Sequence, residues 1–325
     1  MKDSWNRTID YMRISITDRC NLRCRYCMPD GIESIPMAEI LTYEEIVTVA
    51  ECAARLGIRS IKVTGGEPLV RRGCCGLVAS LKALPGIERV TITTNGVLLA
   101  EHLEELAKAG IDGINVSLDT LDEGRYAAIT GSDCAQAVLS AVHRAAERGI
   151  SVKINAVSLA GPEADRERLL SVARDYPVDV RFIEMMPIGY GRDFETISNE
   201  VLFAEIRVRH PDLTEDHRVH GPGPAVYYRI PGYRGSIGFI SAVHGKFCDR
   251  CNRVRLTSRG YLKTCLCFES GVDLRRILRS DAPMEQRKEM LKGSILQAVK
   301  EKPQAHCFER PELVTERQDM VMIGG

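Results

Sequence analysis

The sequence predicts an α/β fold: an incomplete parallel (β/α)6 barrel whose open side is closed by a smaller C-terminal unit. The main observation is a repeated unit in which a helix-like segment ends in glycine and a short apolar segment follows. The glycines that end these segments are Gly57, Gly110 and Gly149. Glycine just past a helix adopts the left-handed conformation at little cost, so each one marks a helix end. The rhythm stops near Pro187, which argues against a complete eight-fold barrel.

Six strands and their helices follow from this rhythm. The first helix is expected to begin at Thr42, because Glu45 three residues later completes a capping box. Right-handed crossovers would make the strands parallel and bring their carboxyl ends, where such folds carry active sites, to one edge. The strand candidates are residues 11–16, 58–64, 89–94, 111–118, 150–157 and 178–184.

The composition changes in the C-terminal part of the chain. Residues 217–235 are rich in glycine and proline and are predicted to form a connector. Beyond them, Tyr261 and Leu262 fit a short hairpin, and residues 281–301 fit a helix. We therefore expect two domains, residues 1–216 and 217–325.

Charge and hydropathy exclude several classes of protein. The 325 residues include 44 Lys and Arg against 44 Asp and Glu, so bulk attraction to nucleic acid is not expected. Neither a run of 18 apolar residues nor an apolar signal core near Met1 is present. No membrane association is therefore expected, and the cytoplasm is the expected location. In that reducing compartment the twelve cysteines are not expected to form disulfides.

Three of these cysteines, Cys20, Cys24 and Cys27, stand together directly after the first predicted strand. This C-x3-C-x2-C spacing lets three thiolates surround one compact centre. Three thiolates leave one iron of a [4Fe–4S] cube open to a further ligand, whereas structural zinc would need a fourth ligand from elsewhere. Zinc motifs favour paired C-x2-C, so the spacing favours the cluster and leaves zinc as the alternative.

A second triad, Cys248, Cys251 and Cys265, lies in the C-terminal unit. Alone, its spacing is more typical of structural zinc, with Cys267 or a histidine as fourth ligand. The same segment carries six basic residues and one acid, and this concentration indicates an anionic ligand, because guanidinium groups clamp phosphate. In an extended segment, every second side chain points to the same side. The basic residues are Lys246, Arg250, Arg253, Arg255, Arg259 and Lys263.

These motifs resemble those of known enzymes. An aromatic residue, Tyr26, precedes the third cysteine, and Thr64-Gly65-Gly66-Glu67-Pro68 is similar to the GGEP motif of the radical S-adenosylmethionine (SAM) enzymes. Residues 13–29, the second triad with its arginines, and the terminal Gly324-Gly325 together resemble the GTP 3′,8-cyclase family of molybdenum cofactor biosynthesis. The resemblance spans nearly the whole chain.

The resemblance implies two [4Fe–4S] clusters and SAM as cofactors, with one cluster on each cysteine triad. Lys62 stands where the family has arginine, and lysine keeps the charge but loses the bidentate fork. The residues matched to SAM contacts are Tyr26, Gly66, Ser117 and Met186. The residues matched to GTP contacts are Arg13, Lys62, Thr93, Lys153, Arg181, Arg253 and Arg255.

The resemblance also implies a reaction, the first step of molybdenum cofactor biosynthesis. Reductive cleavage of SAM yields an adenosyl radical that takes the ribose 3′ hydrogen of GTP. The carbon radical then attacks guanine C8, and an electron and a proton complete 3′,8-cyclo-7,8-dihydro-GTP. The implied catalytic residues are Arg253, Arg255, Gly324 and Gly325, with the paired glycines entering the site.

The partners implied are GTP as substrate, an electron donor such as a flavodoxin or ferredoxin, and a downstream cyclic pyranopterin monophosphate synthase. A homodimer is one assembly that we consider. No nucleic acid or membrane is expected as a partner.

Two other functions stay open at this point. One is a radical SAM peptide maturase with an auxiliary cluster, although such enzymes usually carry more C-terminal cysteines. The other is a non-catalytic iron–sulfur or zinc protein, which the GGEP-like motif disfavours. Cys74 and Cys75 are interpreted as non-ligands, and Cys267 is a thiol that could compete with Cys265.

Overall fold

A computed structural model describes residues 1–32 and 35–324. Twelve strands in this part of the chain join one sheet, and nine helices accompany them. The strands are β1 Tyr11–Ser15, β2 Ser60–Thr64, β3 Arg89–Thr94, β4 Gly113–Ser117, β5 Val152–Val157, β6 Val178–Ile183, β7 Thr214–Glu215, β8 Val226–Arg229, β9 Ile237–Ile240, β10 Arg253–Leu256, β11 Tyr261–Lys263 and β12 Gly271–Asp273. The helices are α1 Tyr43–Arg55, α2 Cys74–Lys82, α3 Leu99–Lys108, α4 Glu123–Thr130, α5 Ala135–Glu147, α6 Glu163–Asp175, α7 Asn199–Arg209, α8 Arg275–Leu278 and α9 Met284–Lys300.

The sheet is open and mostly parallel. Its strand order is β12-β11-β10-β1-β2-β3-β4-β5-β6-β9-β8-β7, so the first six strands lie side by side in sequence order. Each of these six pairs in parallel with the next, and at least one helix of the α1–α6 series connects each pair. The predicted (β/α)6 partial barrel is confirmed, because consecutive βαβ units place all six carboxyl ends at one edge.

The C-terminal half of the chain lengthens this sheet on both sides. β10 pairs in parallel with β1, and β9 pairs in parallel with β6, so eight neighbouring strands run in the same direction. Antiparallel strands then follow at each edge. The later strands therefore extend the sheet of the barrel at both of its edges.

Most local predictions are confirmed. The capping box is present, since the Thr42 side chain accepts from the Glu45 N–H and the Glu45 carboxylate accepts from the Thr42 N–H. The hairpin at residues 261–262 is part of the antiparallel pair β10–β11, and the helix expected at 281–301 is α9. The prediction of a plain connector at 217–235 is wrong, because β8 lies within it and pairs with β9. Strand β8 forms there despite the neighbouring glycines and prolines because β9 offers it a free edge.

The main apolar core fills the space between the sheet and its helices. Val63 of β2, Val90 of β3 and Val116 of β4 are fully buried, and Val49 of α1 and Leu103 of α3 pack into the same core. Burying each such side chain contributes about 1.5–3 kcal/mol, so this layer stabilises the packing of the helices on the sheet. None of the described helices combines the length and apolar character needed to cross a lipid bilayer.

Candidate active site

The first triad, Cys20, Cys24 and Cys27, lies in the loop after β1, at the carboxyl edge of the parallel strands. The N–H groups of Cys27 and Met28 both donate to the Cys24 carbonyl at 2.9 Å, so the loop curls around one point. Burial raises the pKa of each thiol, and for Cys24 the Asp119 carboxylate and the other two thiols add to the rise. Such thiols ionise readily only when a metal cation joins them.

The spacing within both triads argues against a single bound ion. In a tetrahedral zinc site, thiolate sulfurs lie about 3.8 Å apart. Within residues 1–32 and 35–324, the only trio of Cys, His, Asp or Glu ligand atoms that all lie within 4.8 Å of one another is Cys75, His102 and Glu105. Both cysteine triads are wider than that, so their donor type and spacing fit the larger iron–sulfur cluster rather than zinc.

The glycine pair after β2 packs against the first cysteine loop. A Cβ at Gly65 would lie 2.6 Å from the Thr17 carbonyl oxygen, and one at Gly66 would lie 2.5 Å from the Arg19 carbonyl oxygen. The Gly66 N–H also donates to the Thr17 carbonyl at 2.7 Å. The sequence suggested that these glycines admit a ligand, and the structure shows that the cysteine loop itself requires them.

Glu67, which follows the glycine pair, was not assigned a role from the sequence. Its buried carboxylate accepts hydrogen bonds from Leu69 N–H at 3.0 Å, Thr94 Oγ1 at 2.8 Å and Asn95 N–H at 2.6 Å. Burial raises the pKa of Glu67 to about 7, against the lowering effect of these donors. Glu67 therefore joins the ends of β2 and β3, and the only sequence signal for it was its place in the GGEP-like motif.

Asp119 is a second residue that sequence reasoning missed. The Tyr26 hydroxyl donates to Asp119 Oδ2 at 2.7 Å, and the Val157 N–H donates to Oδ1 at 2.8 Å. Burial raises the pKa of Asp119, although these two donors lower it. Asp119 thus anchors the cysteine loop to the ends of β4 and β5.

The four residues predicted to contact SAM lie at the same edge of the sheet. Gly66 and Ser117 stand at the ends of β2 and β4, and the Ser117 side chain is exposed. Met186 follows β6 and is half-buried, and Tyr26 lies within the cysteine loop. An exposed hydroxyl, a glycine edge and a thioether beside the first triad suit a small amphipathic ligand such as SAM.

Cations form a row across the strands on the inner face. Arg13 of β1 lies in register with Lys62 of β2 on one side and Arg255 of β10 on the other. Arg253 lies two residues before Arg255, so both point to the same face. Burial lowers the pKa of Lys62 well below its ordinary value, and four neighbouring cations lower it further. Those cations are Arg181, Arg13, Arg253 and Lys153.

Several polar atoms in this region point into the site without a partner. Arg253 Nε, Arg181 Nε and Thr93 Oγ1 are buried and accept or donate no hydrogen bond within the described part of the chain. Lys62 and Arg253 form no ion pair with a carboxylate among those residues. Cations that lie side by side with little exposure to solvent repel one another and need an anion, so the region fits a polyphosphate.

Lys153 and Arg181 line a cavity of about 50 Å³ beneath this row, together with Lys62. Lys153 Nζ donates to Asp179 Oδ2 at 3.0 Å, to the His220 carbonyl at 2.6 Å and to the Tyr227 hydroxyl at 3.0 Å. Two side-chain amides hold Arg181 Nη2, both at 2.5 Å. They belong to Asn115 and Asn155. The sequence segment expected to be a connector thus supplies part of the cavity wall.

The second triad lies at the other end of the row of cations. Cys248 and Cys251 flank a short turn, and Cys265 follows β11. Burial raises the pKa of Cys248 and Cys265. Burial also acts to raise the pKa of Cys251, but the charges of Lys302 and Arg253 outweigh it and the pKa falls. Cys251 therefore lies in a positive environment beside the proposed anion site.

Lys302 had no signal in the sequence. It is buried, and its Nζ donates to the Arg253 carbonyl at 3.1 Å and to the Thr264 carbonyl. It therefore holds the segment before Cys265 against the start of β10. Its place in the site depends on the fold of the chain after α9.

The thiol that could compete with Cys265 is engaged elsewhere. Cys267 Sγ lies 3.2 Å from Cys307 Sγ, and both are buried. They belong to a small apolar cluster with Ile188, Phe308 and Ile323. The short distance between Cys267 and Cys307 favours Cys265, which packs against the same cluster, as the third member of the second triad.

The tail, residues 320–324, enters the space between the two triads. The Gly324 carbonyl accepts a hydrogen bond from Arg255 Nη1 at 2.8 Å. Nearby, the Val321 backbone lies close enough to the Cys27 thiol to act against the rise of its pKa. Ile323 is fully buried, so the tail is packed rather than frayed. Gly325, the other predicted glycine, lies outside the described residues.

Comparisons with known proteins agree with this architecture. The model of the Radical SAM superfamily matches residues 14–175, and that of Molybdenum Cofactor Synthesis C matches residues 178–308. The solved structure of Streptococcus suis SuiB bound to S-adenosylmethionine has a TM-score of 0.63 and covers 97% of this chain and 77% of SuiB. At 16% identity, that likeness shows the fold alone.

Curated relatives are much more similar in sequence. A GTP 3′,8-cyclase of Clostridium perfringens (strain 13 / Type A) is 40% identical over 327 residues, covering 100% of both chains. A GTP 3′,8-cyclase of Peptoclostridium acidaminophilum is 41% identical over 326 residues, covering 99% of this chain and 98% of the relative. With its two cysteine triads, its row of cations and its tail, the chain belongs to the GTP 3′,8-cyclase family of radical SAM enzymes.

Proposed function

We propose that this chain converts GTP to 3′,8-cyclo-7,8-dihydro-GTP, the first step of molybdenum cofactor biosynthesis. The observation that carries the proposal is the row of cations between two cysteine triads, into which the tail inserts through Arg255 and Gly324. A triphosphate with about four negative charges is the ligand that such a row suits best.

The cofactors are two [4Fe–4S] clusters and SAM. Cys20, Cys24 and Cys27 would hold the first cluster. The second would be held by Cys248, Cys251 and Cys265. When bound, SAM and the first cluster supply the reductive cleavage that yields the hydrogen-abstracting adenosyl radical. Tyr26, Gly66, Ser117 and Met186 are the residues that we propose hold SAM.

The chain's own contribution is to bind and orient GTP. The row of cations crosses β2, β1 and β10 at Lys62, Arg13 and Arg255, so these three charges can act on one polyphosphate. The orphaned Thr93 Oγ1 and Arg181 Nε offer further polar contacts to the same ligand. Holding GTP and SAM at a fixed separation lowers the entropic part of the barrier. Arg253 and Lys153 complete the proposed set of GTP contacts.

The overall conversion balances with an external reductant. One hydrogen leaves C3′ of GTP and appears in 5′-deoxyadenosine, the C3′–C8 bond forms, and two electrons and one proton enter. SAM leaves as methionine and 5′-deoxyadenosine. The electrons would come from a low-potential one-electron donor such as a flavodoxin or ferredoxin.

We further propose the setting in which the enzyme works. Its product would be consumed by a cyclic pyranopterin monophosphate synthase in the cytoplasm, and the enzyme would work as a homodimer. We also propose the division into residues 1–216, the partial barrel, and 217–325, the unit that carries the second triad and the tail. This division gives each unit one triad.

The proposal is tested by reconstituting the full chain anaerobically with iron and sulfide, then adding SAM, GTP and dithionite. We expect 5′-deoxyadenosine to form only when GTP is present, together with the cyclic product detected by mass spectrometry. SAM cleavage that is indifferent to GTP would favour a peptide-modifying radical SAM enzyme instead. No SAM cleavage from a chain with full iron content would favour an electron-transfer or structural role.

A further inference from the structure

Three metal-binding side chains face one another between α2 and α3, away from both cysteine triads. Cys75 lies in the first turn of α2, and its Sγ is 3.9 Å from His102 Nδ1 of α3. Glu105 lies three residues after His102, so both side chains occupy the same face of that helix. The ligand atoms of all three lie within 4.8 Å of one another.

The distances suit a single tetrahedral ion. Zinc bonds of about 2.3 Å to sulfur and about 2.0 Å to nitrogen place these two atoms about 3.6 Å apart. The observed separation of 3.9 Å between Cys75 and His102 is a few tenths of an ångström wider, which a rotamer adjustment can close. A thiolate and a carboxylate together balance the charge of a divalent ion, and imidazole is the usual neutral ligand.

The three side chains differ in their exposure to solvent. Cys75 is buried, His102 is half-buried and Glu105 is exposed. The neighbouring Gly76 is exposed, and a Cβ built on it would meet no heavy atom within 4 Å. The Glu105 side of the trio therefore faces solvent, so a metal ion can enter there and a water molecule can complete its coordination.

We propose that Cys75, His102 and Glu105 bind one zinc ion, with water as the fourth ligand, which replaces the sequence interpretation of Cys75 as a non-ligand. Binding releases the thiol proton of Cys75, so the metal joins a thiolate, an imidazole and a carboxylate. The inference does not rest on the proposed function of the chain, because none of the three residues belongs to the candidate active site.

Such an ion would link α2 and α3, two helices that adjoin the segments in contact with the first triad. α2 comes soon after the glycine pair that packs on the cysteine loop, and α3 follows β3. Between β3 and α3, Asn95 donates to the Cys20 thiol at 3.7 Å. Metal bonds that join α2 to α3 would therefore stabilise the segments that contact the first cysteine loop.

The test uses the full chain with both clusters reconstituted, so that zinc cannot occupy the cysteine triads. One equivalent of Zn²⁺ is added anaerobically, the protein is desalted, and zinc and iron are counted by mass spectrometry. We expect about one retained zinc ion per chain. X-ray absorption at the zinc edge is expected to show one sulfur at about 2.3 Å and nitrogen or oxygen ligands at about 2.0 Å.

Variants decide where the ion lies. Cys75→Ala and His102→Ala are each expected to lose the retained zinc while keeping the iron, and half-buried His102 can be replaced without opening the core. Cys52→Ala, at another buried cysteine of the helical layer, is the matched control and is expected to keep zinc. Zinc retained equally by both variants, a spectrum with two or more sulfur ligands, or no retention by the parent chain would each overturn the proposal.

Discussion

Arg255 Nη1 donates a hydrogen bond to the Gly324 carbonyl at 2.8 Å and thereby ties the row of cations to the tail. Gly324 has φ +77°, and a Cβ at this position would lie 3.1 Å from Cβ of Ser15. The tail therefore fits at the end of β1 only with a residue that lacks a side chain. Because Val321 also contacts the Cys27 thiol, the tail touches both halves of the site.

The first prediction concerns this position. Gly324→Ala is expected to reduce formation of the cyclic product by about tenfold or more, because the left-handed conformation costs a residue with a Cβ about 1–2 kcal/mol. The Cβ contact with Ser15 adds to that cost. The measurement is product formed per chain at saturating SAM and GTP, with iron content checked in the same sample.

The matched control for this substitution is Gly293→Ala. Gly293 lies inside α9, and a Cβ there meets nothing within 4 Å. Alanine in a helix interior is more stable than glycine by about 0.5–1 kcal/mol, so this variant is expected to keep full activity. Full activity of Gly324→Ala would show that the tail does not take part in catalysis.

The second prediction separates Cys265 from Cys267. Cys265→Ala is expected to lose about half of the iron that two [4Fe–4S] clusters supply, because it removes one ligand of the second cluster. Cys267→Ala is expected to keep its iron, since the Cys267 thiol packs against Cys307. Iron and sulfide are counted after anaerobic reconstitution. The opposite pattern would make Cys267 the ligand.

The third prediction compares two arginines of the same basic segment. Arg253 has a buried Nε without a partner among the described residues, whereas Arg259 is exposed and paired with Glu39. Arg253→Ala is expected to weaken GTP binding about 10- to 100-fold, the loss of one charge-assisted contact. Arg259→Ala is expected to bind GTP normally. Equilibrium dialysis with labelled GTP measures both, and equal weakening would refute a specific contact at Arg253.

The fourth prediction concerns the pH dependence of stability. Burial raises the pKa of Glu67 from an ordinary value of 4.5 to about 7. Between these pH values the folded state binds more protons than the unfolded state. The contribution of Glu67 to the free energy of unfolding is therefore largest below pH 4.5 and is lost as the pH rises through 7. Glu67→Gln removes this titration. As the pH rises from 6 to 8, the free energy of unfolding of the variant is expected to increase by roughly 1 kcal/mol relative to that of the parent.

Anaerobic thermal unfolding at these two pH values measures that difference. The amide that Glu67→Gln introduces would lose one of the accepted hydrogen bonds, but that cost is the same at both pH values. An exposed substitution, Glu101→Gln, serves as the control and is expected to show no such change. A constant difference between Glu67→Gln and the parent would show that Glu67 does not titrate in this range.

Much of the local structure follows from the sequence. The strand predicted at 89–94 has those bounds, and Thr42 with Glu45 forms the predicted cap. Both depend on neighbours within a few residues, as hydrophobic periodicity and capping do. The same holds for the spacing of Cys20, Cys24 and Cys27, because eight residues of loop can hold three thiols together only in a narrow set of ways.

The rest depends on contacts between distant segments. The sequence placed residues 217–235 in a connector, yet β8 forms there because β9 provides an edge with unpaired backbone groups. Glu67 joins β2 to β3, and Lys302 reaches β10 from beyond α9. No spacing rule relates such residues, since their proximity is set by the sheet order.

The sequence by itself therefore determined the six βα units, the two cysteine triads and the cationic character of the region around the second triad. Only the tertiary structure decided that β9 and β10 flank the barrel, that Arg255 meets Gly324 and that Cys267 turns to Cys307. The physical reason is range. Local patterns fix backbone conformation and near neighbours, whereas strand order and side-chain pairing across the sheet follow from burying the whole apolar core at once.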